Sequence, residues 1–105
     1  MEKKNIDWGN LGFGYVQTDK RYVSNFKGGA WDEGTLTANS NVTINECAGI
    51  LQYCQECFEG LKAYTTEDGS IVTFRPDMNA ERMMDSASRL EMPVFPKEKF
   101  LDALD

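Results

Sequence analysis

The hydrophobic and polar positions of this 105-residue chain change period twice. From residue 5 to 20 there is no regular period, because Gly9, Gly12 and Gly14 interrupt it. Tyr22, Val23 and Phe26 then predict a strand over 21–27. Lys27-Gly28-Gly29-Ala30 is a turn signal, and 31–37 is expected to pair back as a second strand, shortened or bulged by Asp32, Glu33 and Gly34. Val42-Thr43-Ile44 is a short β-prone segment. From 46 to 57 the period becomes helical, with Ala48, Leu51, Cys54 (or Gln55) and Phe58 recurring, and Gly60 ends it or re-aims the chain. Alternation returns at 61–65, Asp68-Gly69 is a hairpin turn signal, and Ile71-Val72-Thr73-Phe74 is the return strand.

After Pro76 the spacing predicts a helix over 78–90, N-capped by Asp77. Ala80, Met83, Met84, Ala87 and Leu90 form its apolar face. At about 100° per residue, Arg82 and Arg89 fall on the opposite side. Met92-Pro93-Val94-Phe95-Pro96 reads as extended, since a residue before proline avoids the α region. A last helix is expected from Pro96, with Phe100, Leu101 and Leu104 as its apolar side. Its continuation beyond Asp105 is an expectation too, since neither a glycine nor a basic last turn closes it. Strands in hairpins and helices at intervals make this an α+β chain: an antiparallel sheet with flanking helices.

Charge and composition narrow the function. There are 11 basic and 17 acidic side chains, a net charge of −6. That is the wrong sign for non-specific nucleic-acid binding, so no nucleic-acid partner is expected. No apolar run nears the ~20 residues that span a bilayer, so no membrane role is expected. The basic start, Met1-Glu2-Lys3-Lys4, is not followed by an apolar stretch, and no secretory signal is expected. Three cysteines are an odd count that suits reduced thiols and a cytoplasmic setting. With no histidine, any proton transfer falls to a carboxylate, lysine, tyrosine or cofactor.

Few residues suggest chemistry by type alone. Cys54-Gln55-Glu56-Cys57 has C-x-x-C spacing, with Cys47 upstream, but zinc usually takes four ligands. Buried or half-buried thiols are the simpler reading, and no metal site is expected. Gly12-Phe13-Gly14 lacks the third glycine and the strand-to-helix setting of a dinucleotide loop. Lys62, on a strand beside Tyr64, is by pattern a solvated lysine. Arg82 reads either as a solvated arginine paired with Asp85 at i+3 or with Glu81, or as a planar fork offered to a bound anion such as phosphate.

Residues 53–64, Tyr53-Cys54-Gln55-Glu56-Cys57-Phe58-Glu59-Gly60-Leu61-Lys62-Ala63-Tyr64, closely resemble branched-chain amino-acid aminotransferases. The resemblance continues through Phe74-Arg75-Pro76-Asp77, Asn79, Arg82, Met83, Ser86-Ala87, Arg89 and Met92-Pro93. It reaches back to Gly12-Phe13-Gly14 and Gly29-Ala30-Trp31-Asp32-Glu33-Gly34. It implies a pyridoxal-phosphate enzyme of fold type IV, passing the amino group of leucine, isoleucine or valine to 2-oxoglutarate. Residues 1–105 would be the N-terminal part of its small domain.

By the same resemblance Arg82 binds the cofactor phosphate. Phe58 and Gly60 line the substrate pocket, and Lys62 lies near it. Tyr53 closes the neighbouring subunit's pocket, which implies a homodimer. The lysine that carries the cofactor is expected in a larger domain outside this chain. No catalytic residue is therefore expected here, and the chain alone is expected to be inactive. Two departures stand out: Gln52 where the family usually has histidine, and Cys54 where it usually has a small residue, often glycine. The alternative is a stand-alone, non-catalytic remnant of the small domain acting as a binding or assembly module. A neighbouring fold-type-IV activity, such as D-amino-acid aminotransferase or aminodeoxychorismate lyase, fits the 58–64 segment less well. In isolation the chain is expected to self-associate or to be partly disordered, through unpaired strand edges and an exposed apolar face.

Overall fold

The order of elements follows from where the chain can turn. The structure, a computed structural model, describes residues 5–105. After a short 3₁₀ turn at Trp8–Asn10, strands β1 (Arg21–Val23), β2 (Phe26–Lys27), β3 (Ala30–Trp31) and β4 (Thr35–Thr37) follow. Helix α1 (Gly49–Tyr53), strands β5 (Ala63–Thr65) and β6 (Ile71–Thr73), and helices α2 (Pro76–Arg89) and α3 (Lys97–Asp102) complete the chain. The chain is α+β, as expected.

Strands β1–β4 form one long, interrupted hairpin. Gly28 and Gly29 both have positive φ, +59° and +85°, which a two-residue turn matching the strand twist requires. Phe26 faces Trp31 across β2–β3, and Val23 faces Thr35 across β1–β4. Between those pairs one strand has Ser24 and Asn25, the other Asp32, Glu33 and Gly34, so the second carries the extra residue of a bulge. The Asp32 carboxylate fills the gap. It accepts hydrogen bonds from the backbone N–H of Asn25 and Gly34, each at 3.0 Å, and from Ser24 Oγ at 2.9 Å and Asn25 Nδ2 at 3.1 Å. These bonds hold its pKa down to about 2, the Asn25 N–H contributing most. Gly34, at φ +78°, lies under the Tyr22 ring, where a Cβ would sit 2.0 Å from the hydroxyl oxygen.

The expected single sheet is instead three separate two-stranded ribbons: β1–β4, β2–β3 and β5–β6. The bulge at 32–34 divides the first hairpin in two, and among the described residues no strand bridges it to β5–β6. The β-prone segment 42–44 forms no strand, because no neighbour offers it a ladder. Hairpin β5–β6 is as expected, its register pairing Ala63 with Thr73 and Thr65 with Ile71.

The helix expected over 46–57 shrinks to the five residues of α1. Asn45 Oδ1 takes the N–H of Cys47 at 2.8 Å, and Asn45 O that of Ala48, which makes 45–48 a turn. At the other end Cys54 adopts φ +52°, a left-handed conformation that stops the helix. The C-x-x-C pair therefore lies at and beyond the helix end. Cys47 and Cys54 are exposed, which corrects the expectation of buried thiols there, and Cys57 is half-buried.

Helix α2 starts two residues earlier than expected, and Asp77 is not its cap. Pro76, with φ already helical, occupies the first turn, and Asp77 turns its carboxylate to Arg75 at 2.7 and 2.9 Å. Ala80 and Ala87 of the predicted apolar face are buried, whereas Leu90 is exposed. Trp31 ties the hairpin to the connector before α3. It meets Phe26 and Phe95 edge-on, with centroids 5.3 and 4.9 Å apart, and its Nε1 donates to Val94 O at 2.9 Å.

Core burial is thin. Among the described residues only Ala80, Ala87 and Asn79 are buried. The accessible surface is 9215 Å², where a folded monomer of this mass exposes about 5,900 Å². The radius of gyration is 15.8 Å, against roughly 13 Å for a compact chain of this length. Among the described residues no helix is long and apolar enough to cross a membrane.

Candidate functional site

A cleft of about 520 Å³ opens where the connector after α1 meets β5–β6 and the start of α2. Gly60, Leu61, Lys62 and Tyr64 line one side, and Phe74, Arg75, Met78, Asn79 and Arg82 the other. Three cationic side chains therefore border one space. Arg75 and Arg82 stand just before and within α2. Arg75 ends the β6 segment in a left-handed conformation, φ +47°, and Arg82 follows seven residues later, two turns along α2.

Arg82 is held from behind. Its Nε donates to Glu59 Oε1 at 2.8 Å and its Nη2 to Glu59 Oε2 at 3.0 Å. Asn79, one turn earlier on α2, donates from Nδ2 to Glu59 Oε2 at 2.7 Å and to Gly60 O at 2.9 Å. The Asn79 Nδ2 thus fixes the 59–60 connector against α2 with two hydrogen bonds. The Glu59 side chain is 14% exposed, that of Arg82 56%. The Arg82 bonds, then the Asn79 bond, hold the Glu59 carboxyl below its ordinary pKa, and the same pairing raises that of Arg82.

Arg82 is thus paired, but with Glu59 across the chain and not with the Asp85 or Glu81 of its own helix that the sequence suggested, and it borders the cleft. Of the residues expected at a site, Gly60, Lys62 and Arg82 come together there. Tyr53 and Phe58 do not line it and stand 85% and 91% exposed. The Phe58 ring lies beside Gly60, 3.6 Å from where a Cβ would be. Three further residues escaped the sequence reading as parts of a site: Glu59, Asn79 and Arg75. The first two are legible afterwards as a carboxylate and an amide that α2 brings opposite the 59–60 connector.

Among the described residues, no group of three or more His, Cys, Asp or Glu side chains is gathered to hold a metal ion. No family model matches the chain. Curated relatives do, over nearly all of its length. By sequence this chain matches branched-chain aminotransferases. It is 54% identical to the branched-chain-amino-acid aminotransferase of Haemophilus influenzae over 95% of the chain and 29% of that protein. It is 44% identical to that of Helicobacter pylori with the same coverage. A methionine aminotransferase of Arabidopsis thaliana is 43% identical over 95% of the chain and 28% of its own length. The chain thus spans less than a third of the relatives it matches, in their N-terminal portion.

Proposed function

We propose that this chain is the N-terminal part of the small domain of a pyridoxal-phosphate-dependent branched-chain aminotransferase of fold type IV. The whole protein would pass the amino group of leucine, isoleucine or valine to 2-oxoglutarate. The reading rests on one observation above the rest: aminotransferases match 95% of the chain at up to 54% identity. The cleft supports it chemically. Arg82, Lys62 and Arg75 on one space make a donor set suited to a phosphate. The residues present fit the phosphate end of the cofactor. When bound, the cofactor supplies the electron sink that amino-group transfer needs.

The site residues take roles in this frame. Arg82 binds the cofactor phosphate, and Gly60 lets the connector approach the ligand. Lys62 keeps the cleft cationic. Tyr53 and Phe58, exposed in their own chain, are apolar surfaces for the substrate pocket, Tyr53 in the second subunit of a homodimer. Excess surface of roughly 3,000 Å² over a compact monomer supports cover from further polypeptide. Placement in the cytoplasm, with small-molecule substrates and a second copy of the chain as partners and no nucleic acid or membrane, completes the reading.

The test is to produce the protein from its intact native reading frame and follow leucine-dependent glutamate formation from 2-oxoglutarate. Cofactor affinity is measured beside it. Turnover is expected, with Arg82→Gln weakening pyridoxal phosphate at least about tenfold. No turnover with any branched-chain donor, together with unchanged affinity in Arg82→Gln, overturns the proposal. The 105 residues alone are expected to give no turnover.

A further inference from the structure

Arg82 is a long side chain on the solvent side of a helix, and such an arginine ordinarily samples many rotamers. Here it is fixed through one edge of its guanidinium. Nε and Nη2 both point to Glu59, at 2.8 and 3.0 Å. A guanidinium has five N–H donors in a rigid plane. With Nε and one Nη2 hydrogen spent on Glu59, three donors remain, of which one on Nη2 and one on Nη1 share the Nη1–Nη2 edge. Glu59 is itself fixed by Asn79, which is buried and whose Nδ2 also holds Gly60 O. The chain of contacts Gly60–Asn79–Glu59–Arg82 is therefore continuous from a buried amide to the cleft.

We propose that Glu59 is the positioning residue for Arg82. It clamps the Nε side of the guanidinium so that the Nη1–Nη2 edge is presented as a preformed two-donor fork for a ligand phosphate. This rests on the reading of Arg82 as a phosphate ligand and adds how that ligand is held. It has a consequence that runs against simple charge arithmetic. Glu59 carries a negative charge close to a site for an anion. If the carboxylate acted through its field alone, removing the charge would tighten phosphate binding. If it acts by holding Arg82, removing it weakens phosphate binding, because the ligand must then order the arginine itself.

The experiment uses the protein from its intact native reading frame and measures equilibrium affinity for pyridoxal phosphate and for unphosphorylated pyridoxal by absorbance titration. The ratio of the two affinities reports the phosphate site alone. Glu59→Gln is expected to lower that ratio about tenfold with pyridoxal affinity unchanged. Glu59→Asp, which keeps the charge but withdraws the carboxylate by one methylene, is expected to lower it as well. In an Arg82→Gln background, Glu59→Gln is expected to add nothing.

A ratio raised or unchanged in Glu59→Gln overturns the inference. So does an equal loss for pyridoxal, which marks a structural effect. If Glu59→Gln does not fold, Glu59→Asp decides: a wild-type ratio overturns the inference and a lowered one supports it. If Arg82→Gln itself leaves the ratio unchanged, the phosphate reading of Arg82 fails. If Arg82→Gln lowers the ratio and the Glu59 variants do not, only the present inference fails.

Discussion

Replacing Cys54 by glycine is expected to stabilise the protein. Cys54 has φ +52° and ψ +35°, a conformation that costs an L-residue roughly 1–2 kcal/mol relative to right-handed backbone. Glycine adopts it freely, though its more flexible unfolded chain gives back about 0.5–1 kcal/mol. The cysteine side chain is exposed, so little packing is lost with it. The net gain is about 0.5–1 kcal/mol, or roughly 3–6 °C in the unfolding midpoint of a cooperative unit this size. Cys54→Ala is the control, because alanine also lacks the thiol but keeps the Cβ. Thermal or urea unfolding of both variants beside wild type separates backbone from side chain. Cys54→Gly should exceed Cys54→Ala by the net amount above, with the urea m-value unchanged. A glycine variant no more stable than the alanine variant refutes the reasoning.

The remaining outcomes concern the hairpin and its docking. The Asp32 carboxyl titrates near pH 2 in the folded chain and near 3.8 when unfolded. Because the folded value is depressed, its contribution is present above about pH 4 and disappears as pH falls toward 2. An NMR titration of Asp32 with a midpoint near 3.8 would contradict this, and Asp32→Asn should destabilise at pH 7 but not at pH 2. Gly34→Ala is expected to cost more than about 1 kcal/mol, through its positive φ and the Tyr22 hydroxyl in its path; urea unfolding no different from wild type would contradict it. Trp31→Ala removes both ring contacts and the bond to Val94 O. It should cost about 3 kcal/mol and raise amide exchange in α3 and in β2–β3 together, whereas exchange raised in the strands alone would show that Trp31 does not dock the hairpin.

Local signals were legible where one residue type has one physical outlet. Gly28-Gly29 gave a turn because only positive φ closes a two-residue loop, and Asp68-Gly69 marked the β5–β6 hairpin. Ala80 and Ala87 are buried as the helical period implies. The period failed at 46–57, where Ala48, Leu51, Cys54 and Phe58 recur at helical spacing but Cys54 takes a left-handed conformation. A single left-handed residue ends a helix without disturbing the pattern around it. It failed again at Asp77, where an acid good for capping stands one residue after a proline already shaped for the first turn.

The sequence by itself determined the hairpin turns, the α2 face, the placing of Arg82 away from the helix core and the likeness to aminotransferases. Each of these depends on residues a few positions apart or on their order along the chain. Only the tertiary structure decided that the strands divide into three ribbons, that Arg75, Lys62 and Arg82 share one cleft, and that Glu59 and Asn79 hold the arginine. The bonds to Glu59 join residues 20 and 23 positions apart, and side-chain hydrogen bonds over that span leave no period in a sequence. They exist only once α2 has packed against the 59–62 connector, which brings Glu59 within reach of Asn79 and Arg82.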